Sequence, residues 1–377
     1  MNILFLLTYY RPHWTGLTQY AARLAEGLVE DGHKVEVLTS QHKRNLPREE
    51  IVNGVKVFRV PYLSHFLRSV ILPSYPFVFW RILKNSSAVV VFLPLQEIFL
   101  VTVIARLFNK KMYLVHNGDL VLPKNGGYFN RIVEKVYFLG TSFGINNSDK
   151  IIIHTEDYAS NSKHLSKFKE KWKVILPPFK KVEVSRSSVN NFKRKYNLEG
   201  KLLIGFSGRF VEEKGVDYLL KAIPLIIKEV PNAHFIFCGE HKVNYENFWL
   251  KVEPLIKKYK RYLTLLGLIS QPEVFIFYKS LEVLVIPSRT DCFPFAQVES
   301  QLSGTPSVCT DIPGARWIIK VAGMGLLVKP RNVEALAEGI VNVIKNRNQF
   351  TKNYYKVNKL INYQNSIRKY EELLESG

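Results

Sequence analysis

The chain of 377 residues carries 53 lysines and arginines against 32 aspartates and glutamates, a net charge of +21, and is 47% hydrophobic. That apolar share supports well-formed cores and excludes a disordered chain, and the length suits two domains. Three cysteines, Cys238, Cys292 and Cys309, show neither CxxC nor metal-ligand spacing, which excludes a disulfide scaffold or zinc module and suits a reducing cytosol.

The first residues read as a βαβ unit. An apolar strand at 2–7 leads through a loop to an amphipathic helix at 18–30, and a second strand follows at 34–39. Because 1–8 reads as a strand, no secretory signal is expected there. The loop holds Pro12-His13-Trp14-Thr15-Gly16, where Gly16 would let the helix N-terminus approach a phosphate or sugar; an ordinary tight turn is the alternative. Strand patterns recur near 55–60, 88–93, 111–115, 150–154 and 173–176, with helical stretches between several of them. This alternation predicts a parallel, doubly wound sheet. Pro94, Gln96 and Glu97 interrupt the apolar run 88–108, so no transmembrane span is expected and the chain reads as soluble.

Residues 51–96 contain no acidic side chain but hold Lys56, Arg59, Arg68, Arg81 and Lys84. Between 62 and 84 these cations alternate with Phe66, Tyr75, Phe77, Phe79 and Trp80. Two readings stand: a peripheral contact with an anionic membrane, or a core helix and loop with a solvated basic rim. The high charge invites nucleic acid as a partner. No zinc pattern, aromatic RNA-binding motif or basic heptad helix accompanies it, so none is expected.

His116 ends the strand at 111–115. Facing a cleft, it would hydrogen-bond a sugar hydroxyl or donate toward a diphosphate; a loop-capping histidine is the alternative. Asp119 would touch sugar hydroxyls, and His154 and Glu156 stand at the periphery. A polar linker is expected at 181–198, between domains at 1–180 and 199–363. The alternation restarts at Lys201, with helices at 216–229, 246–258 and 271–279 and strands at 234–238, 262–266, 283–286 and 325–328. An amphipathic helix at about 364–377 closes the chain.

Two segments of the second half carry chemistry. In Gly205–Gly215 a strand ends at Ser207-Gly208, and Arg209 and Lys214 follow on a loop. A planar guanidinium and a point-charge ammonium together suit a diphosphate. In 283–314 a strand feeds a helix beginning near Phe295, whose free N–H groups over Phe295, Ala296, Gln297 and Val298 suit a phosphate. Asp291 precedes that helix, and Glu299 lies about one turn into it.

The segment 291–306, D-C-F-P-F-A-Q-V-E-S-Q-L-S-G-T-P, resembles the E-x-F-[GP]-x-x-x-x-E-[AS]-x-x-x-G-x-P element of the retaining glycosyltransferases of family 4. Asp291 stands where the first glutamate is usual, and Glu299, Gly304 and Pro306 fall in register. The resemblance covers most of the chain and is weakest at 40–85 and 180–195. It implies a GT-B fold: α/β, with two Rossmann-like doubly wound domains facing across a cleft. The N-terminal domain would take the acceptor and the C-terminal one the nucleotide-sugar donor, with the last helix packing back on the first.

The same resemblance implies that Gly208, Arg209, Lys214 and Gly215 bind the donor diphosphate. Leu268 would lie at the nucleotide base, Gly16 at the second position of the family's paired glycines, and His116 near the donor sugar. Glu299 is expected at the ribose and Asp291 at the transferred sugar. The implied activity is transfer, with retention, from a nucleotide-diphosphate sugar to a glycan or lipid-linked glycan in surface polysaccharide or glycolipid assembly. It would take place in the cytoplasm, at the inner face of the membrane. No cofactor is expected, and no DxD-like cluster calls for a metal. Other readings are a nucleotide-sugar epimerase or phosphorylase on the same scaffold, and a basic nucleic-acid-binding module.

Overall fold

The computed structural model describes residues 1–66, 69–120, 122, 127–243 and 245–376; Arg68 lies outside them. The chain divides into two compact units, Met1–Pro178 with Asn362–Gly377, and Phe179–Ile361.

The strands of the first unit are β1 (Asn2–Leu6), β2 (Lys34–Ser40), β3 (Glu49–Val52), β4 (Val55–Val60), β5 (Ser64–Phe66), β6 (Ser69–Ile71), β7 (Ala88–Leu93), β8 (Lys111–His116), β9 (Lys150–Ile153) and β10 (Trp172–Val174). Of these, β1, β2, β4, β7, β8 and β9 are short runs buried over most of their length on both faces, whereas β3 and β10 are not. Eight of them make one sheet in the order β10-β9-β8-β7-β1-β2-β4-β3. The order reverses between β1 and β7, as a doubly wound sheet requires. Two departures from the expected all-parallel sheet occur. Edge strand β3 runs antiparallel to β4, and β5 and β6 pair with each other alone. At β3–β4 the cause is local: Asn53 and Gly54 take φ of 50° and 81°, the turn that closes a two-residue hairpin.

The helices of this unit are α1 (Gly16–Glu30), α2 (Tyr75–Leu83), α3 (Ile98–Leu107), α4 (Gly127–Asn147) and α5 (Glu156–Asn161). Side chains alternate across the sheet. Leu4, Leu6, Val91 and Leu93 face α2, α3 and α4 through Phe79, Ile82, Val101 and Ile145. Phe5 and Phe92 face the other way, where Tyr20 of α1 meets Phe92 edge-on. The basic aromatic segment splits accordingly. Tyr75 and Phe79 are core, Phe77 and Trp80 are exposed, and Arg59 is buried in an ion pair with Glu50. Arg59 also donates to the Arg11 carbonyl at 2.8 Å, so it is a structural cation and not one facing a membrane.

The second unit holds α6 (Arg186–Lys195), β11 (Leu202–Ser207), α7 (Val216–Glu229), β12 (Ala233–Cys238), α8 (Phe248–Lys258), β13 (Leu263–Gly267), α9 (Gln271–Ser280), β14 (Val283–Ile286), α10 (Phe295–Leu302), β15 (Ser307–Thr310), α11 (Trp317–Ala322), β16 (Gly325–Val328), α12 (Val333–Lys345), α13 (Arg347–Thr351) and α14 (Tyr354–Leu360). Its six parallel strands run β13-β12-β11-β14-β15-β16, reversing between β11 and β14. In open sheets of this kind, ligands bind outside the strand C-termini at that reversal. The segment expected as a linker carries α6. Ser185 caps it, Phe192 is its one buried side chain, and Lys195 pairs with Glu273 of α9 at 2.7 Å. A single apolar anchor leaves no periodicity to read.

Helix α15 (Tyr363–Glu375) returns to the first unit, burying Ile367, Tyr370, Leu373 and Leu374. Ile367 lies over Gly27 of α1, and the Tyr20 and Tyr370 hydroxyls touch. Among the described residues no helix is long and apolar enough to cross a membrane.

Candidate active site

The site in the second unit is built where β11 and β14 end side by side. Gly215 decides how closely their loops approach. It holds φ +65°, and a Cβ there would lie 2.0 Å from the Pro287 carbonyl oxygen. Only glycine tolerates both. The 3-10 turn Glu212–Lys214 and the start of α7 therefore press against the loop that follows β14. Gly314 does the same on the far side, where a Cβ would sit 2.1 Å from the Cys292 carbonyl oxygen.

This approach brings Lys214 and Asp291 together, Nζ to Oδ2 at 2.6 Å, with Ser288 Oγ donating to the same oxygen at 3.3 Å. Burial alone would lower the Lys214 ammonium; the carboxylates of Asp291 and Glu213 outweigh it and hold the group above its ordinary value. Arg209, on the same loop, lies over the Tyr245 ring, 5.5 Å from its centre, and donates to its hydroxyl. The Glu213 carboxylate lies 3.9 Å from its guanidinium.

Helix α10 starts at Phe295 behind Pro294, which has no side chain to cap it. Phe295 and Ala296 are half-buried, whereas Gln297 and Val298 are buried. Gln297 differs from expectation. Its N–H donates to the Pro294 carbonyl at 3.0 Å, and its amide side chain turns inward to Cys309 Sγ at 3.3 Å. Glu299 is half-buried and accepts from the Tyr278 hydroxyl at 3.4 Å, which in turn lies 3.2 Å from Ser207 Oγ. Burial, then the Glu299 charge, keeps the Tyr278 phenol well above its usual range, so it stays a neutral donor. Leu268 is exposed beyond β13, and Gly208 donates to the Cys238 carbonyl at 2.9 Å.

Arg289 escaped the sequence reading. Its N–H donates to the Glu213 carbonyl at 2.7 Å, its guanidinium reaches Asp217 at 2.8 Å, and it lies 4.5 Å from the centre of the Tyr218 ring. It ties the loop of Lys214 to the loop of Asp291. Tyr278 and Tyr245 escaped as well, because both partner the motif from distant helices and loops.

In the first unit, Gly16 opens α1 and Thr15 caps it: Thr18 N–H donates to Thr15 Oγ at 3.3 Å and Thr15 N–H to Thr18 Oγ at 2.8 Å. His116 is buried at the end of β8. Gly118 N–H donates to its Nδ1 at 3.3 Å, and its Nε2 lies 3.3 Å from Asp119. Both ring nitrogens thus face protein. Burial tends to raise the Asp119 carboxyl, but hydrogen bonds from His116 and Ser162 hold it below its ordinary value. Ser162 Oγ stands 2.9 Å from each Asp119 oxygen.

Residues 15–174 match the glycosyl transferase 4-like domain, and 188–359 match glycosyl transferases group 1. The chain is a group 1, family 4-like glycosyltransferase. An uncharacterized glycosyltransferase of Methanocaldococcus jannaschii is 27% identical to it over 378 residues, 91% of this chain and 89% of the relative. The capsular polysaccharide biosynthesis glycosyltransferase CapM of Staphylococcus aureus is 26% identical over 157 residues, 41% of this chain and 40% of the relative. HepE of Anabaena, solved in complex with UDP and glucose, superposes on the glycosyltransferase with a TM-score of 0.80 at 14% identity, covering 100% of both chains, and shows the GT-B fold.

Proposed function

We propose that this glycosyltransferase takes its sugar from a nucleotide-diphosphate sugar held in the second unit. It passes the sugar, with retention, to a glycan or lipid-linked glycan held by the first. The observation that carries this reading is the 2.6 Å contact between Lys214 and Asp291 at the strand reversal of the second sheet. A cation and a carboxylate are stored there against each other, beside a helix start that no side chain caps. When a donor enters, its diphosphate takes Lys214 and Arg209, and Asp291 is released to the hydroxyls of the transferred sugar.

Departure of a diphosphate needs charge stabilisation more than a proton. Arg209, Lys214 and the first turn of α10 supply it, and Glu299 holds the ribose. The acceptor oxygen bonds to the anomeric carbon on the face the leaving group vacates. The bond from that carbon to the phosphate oxygen breaks, and the acceptor's proton passes to that oxygen. Neither a base residue nor a metal enters this scheme. In the first unit, His116, held by Asp119, and Gly16, at the start of α1, are the candidates for a sugar contact. Support for the donor class comes from HepE, solved with UDP and glucose, and for the polysaccharide context from the likeness to CapM, a capsular polysaccharide biosynthesis glycosyltransferase. The exposed aromatics and cations of 51–96 bring the enzyme to the inner face of the cytoplasmic membrane.

The test is thermal shift with UDP, GDP, ADP and CMP, followed by nucleoside diphosphate release from matching sugars with and without acceptor. Stabilisation by one diphosphate, lost in Lys214→Ala, supports the reading. No shift with any of the four defeats it. Release that equals epimer formation, or that needs inorganic phosphate, would instead favour an epimerase or a phosphorylase.

A further inference from the structure

Helix α4 spans 21 residues, and its outer side is apolar where a surface helix is ordinarily polar. Tyr128, Ile132, Val136, Leu139 and Phe143 recur at helical spacing along one stripe. Tyr128, Val136 and Leu139 are 77%, 63% and 64% exposed. The Phe99 ring of α3 lies 4.9 Å from that of Phe143 and continues the patch onto the neighbouring helix, which also exposes Leu107. Burying such a stripe removes a standing hydrophobic cost, so a face of this size marks an interaction site.

Charge decides the occupant. Arg131 and Lys135 are exposed on the same side of α4, and Arg106 is exposed on α3. The acid of α4, Glu134, is half-buried and turned back on its own chain, accepting the Leu122 N–H at 2.6 Å. A second copy meeting this face would set Arg131 and Lys135 against their own counterparts with no carboxylate between them. An anionic lipid surface satisfies both features. The apolar stripe sinks to the acyl boundary while the long cationic stems reach back to the phosphates.

We propose that the α3–α4 face lies flat on an anionic lipid bilayer, with α4 in the plane of the interface. Helix α2 packs on α3 from the same side of the sheet and adds exposed Phe77 and Trp80 to the rim. The donor reading above is not needed here, because lipid binding is read without donor or acceptor and fails or holds separately.

The experiment is flotation of the full chain with phosphatidylcholine vesicles and with phosphatidylcholine–phosphatidylglycerol vesicles, at low and high salt. The wild type is expected to float with the anionic vesicles at least about tenfold more than with the neutral ones, and less at high salt. The double variant Val136→Asp/Leu139→Asp and the double variant Arg131→Glu/Lys135→Glu should each lose about tenfold or more of that partition. Leu250→Asp, on exposed α8, should float as the wild type does. Unchanged circular dichroism and melting temperature show that each variant is folded. The proposal is overturned if the wild type stays unbound to anionic vesicles, or if the Val136/Leu139 variant floats like the wild type. It is equally overturned if that variant converts a dimer to a monomer, which would make a second copy the occupant.

Discussion

Lys214 Nζ and Asp291 Oδ2, 77 positions apart in the chain, meet at 2.6 Å across two strand-end loops. On the proposed donor reading, Lys214→Ala removes one of the two cations, Lys214 and Arg209, that would meet the diphosphate. Nucleoside diphosphate release should fall by about 10²–10³-fold, and calorimetric affinity for the diphosphate should weaken in parallel. Lys214→Arg, keeping the charge, should recover part of both. Asp291→Asn tests the pair from the other side. With the principal raising charge gone, burial dominates and the ammonium deprotonates at lower pH. The alkaline limb of diphosphate binding should therefore move down in pH in Asp291→Asn, and an unmoved limb would show that the two groups are not coupled.

Arg289 and Asp217 make a second pair, 2.8 Å apart and mostly buried, with side-chain exposures of 13% and 4%. Arg289→Ala leaves the Asp217 carboxylate without its partner inside the unit. That should cost about 3–5 kcal/mol in urea unfolding. Arg289→Ala/Asp217→Asn should return much of the lost stability, because no buried charge is then stranded. Diphosphate affinity should stay low in the double variant, since the tether between the Lys214 and Asp291 loops is still missing. Recovery of affinity along with stability would reduce Arg289 to a purely structural role.

Three buried histidines set the acid limit of the fold. Burial pushes His154 down to about 3 and both His164 and His234 to about 4, from an ordinary 6.5. Below pH 6.5 the unfolded chain takes up protons that the folded one refuses, so stability falls as pH drops from 6.5 toward 4. Asp119 acts in the same direction at still lower pH, because its depressed carboxyl stabilises the fold only while ionised. Each histidine should contribute on the order of 1–2 kcal/mol of loss between pH 6.5 and 5. Melting curves across that range should show the decline, and His234→Asn should flatten it. A flat wild-type profile would mean these rings are protonated in the folded chain.

The sheets were legible because parallel strands, buried on both faces, read as unbroken apolar runs. The strand patterns at 55–60, 88–93, 283–286 and 325–328 coincide with β4, β7, β14 and β16. What escaped carries little hydrophobic signal. Edge strand β3 is half glutamate, and α6 has one buried side chain. At the candidate site, the motif spacing singled out Lys214, Asp291 and Glu299, and the structure brings Lys214 and Asp291 together, but the spacing left their supports unseen. Arg289 finds Asp217 72 positions away, and Tyr278 comes to Glu299 from another helix. No local pattern encodes such pairs. Position along a strand end singled out His116, but gave no sign that Gly118 and Asp119 would occupy both its nitrogens.

Gly215 joins these levels, since one missing methyl group permits the whole loop arrangement. An alanine there would put Cβ 2.0 Å from the Pro287 carbonyl oxygen, a backbone atom that cannot swing aside, at a φ of +65°. Strain and displacement together should cost roughly 3 kcal/mol or more in urea unfolding. The turn Glu212–Lys214 must then lift from the β14 loop, so diphosphate affinity should fall with stability. Gly32→Ala is the control. Its φ of +89° is equally left-handed, but nothing lies within 4 Å of the new Cβ. It should cost only about 1 kcal/mol, the conformational share alone, and leave diphosphate binding unchanged. Equal losses in the two variants would mean that backbone conformation, and not the close approach to Pro287, is what Gly215 supplies.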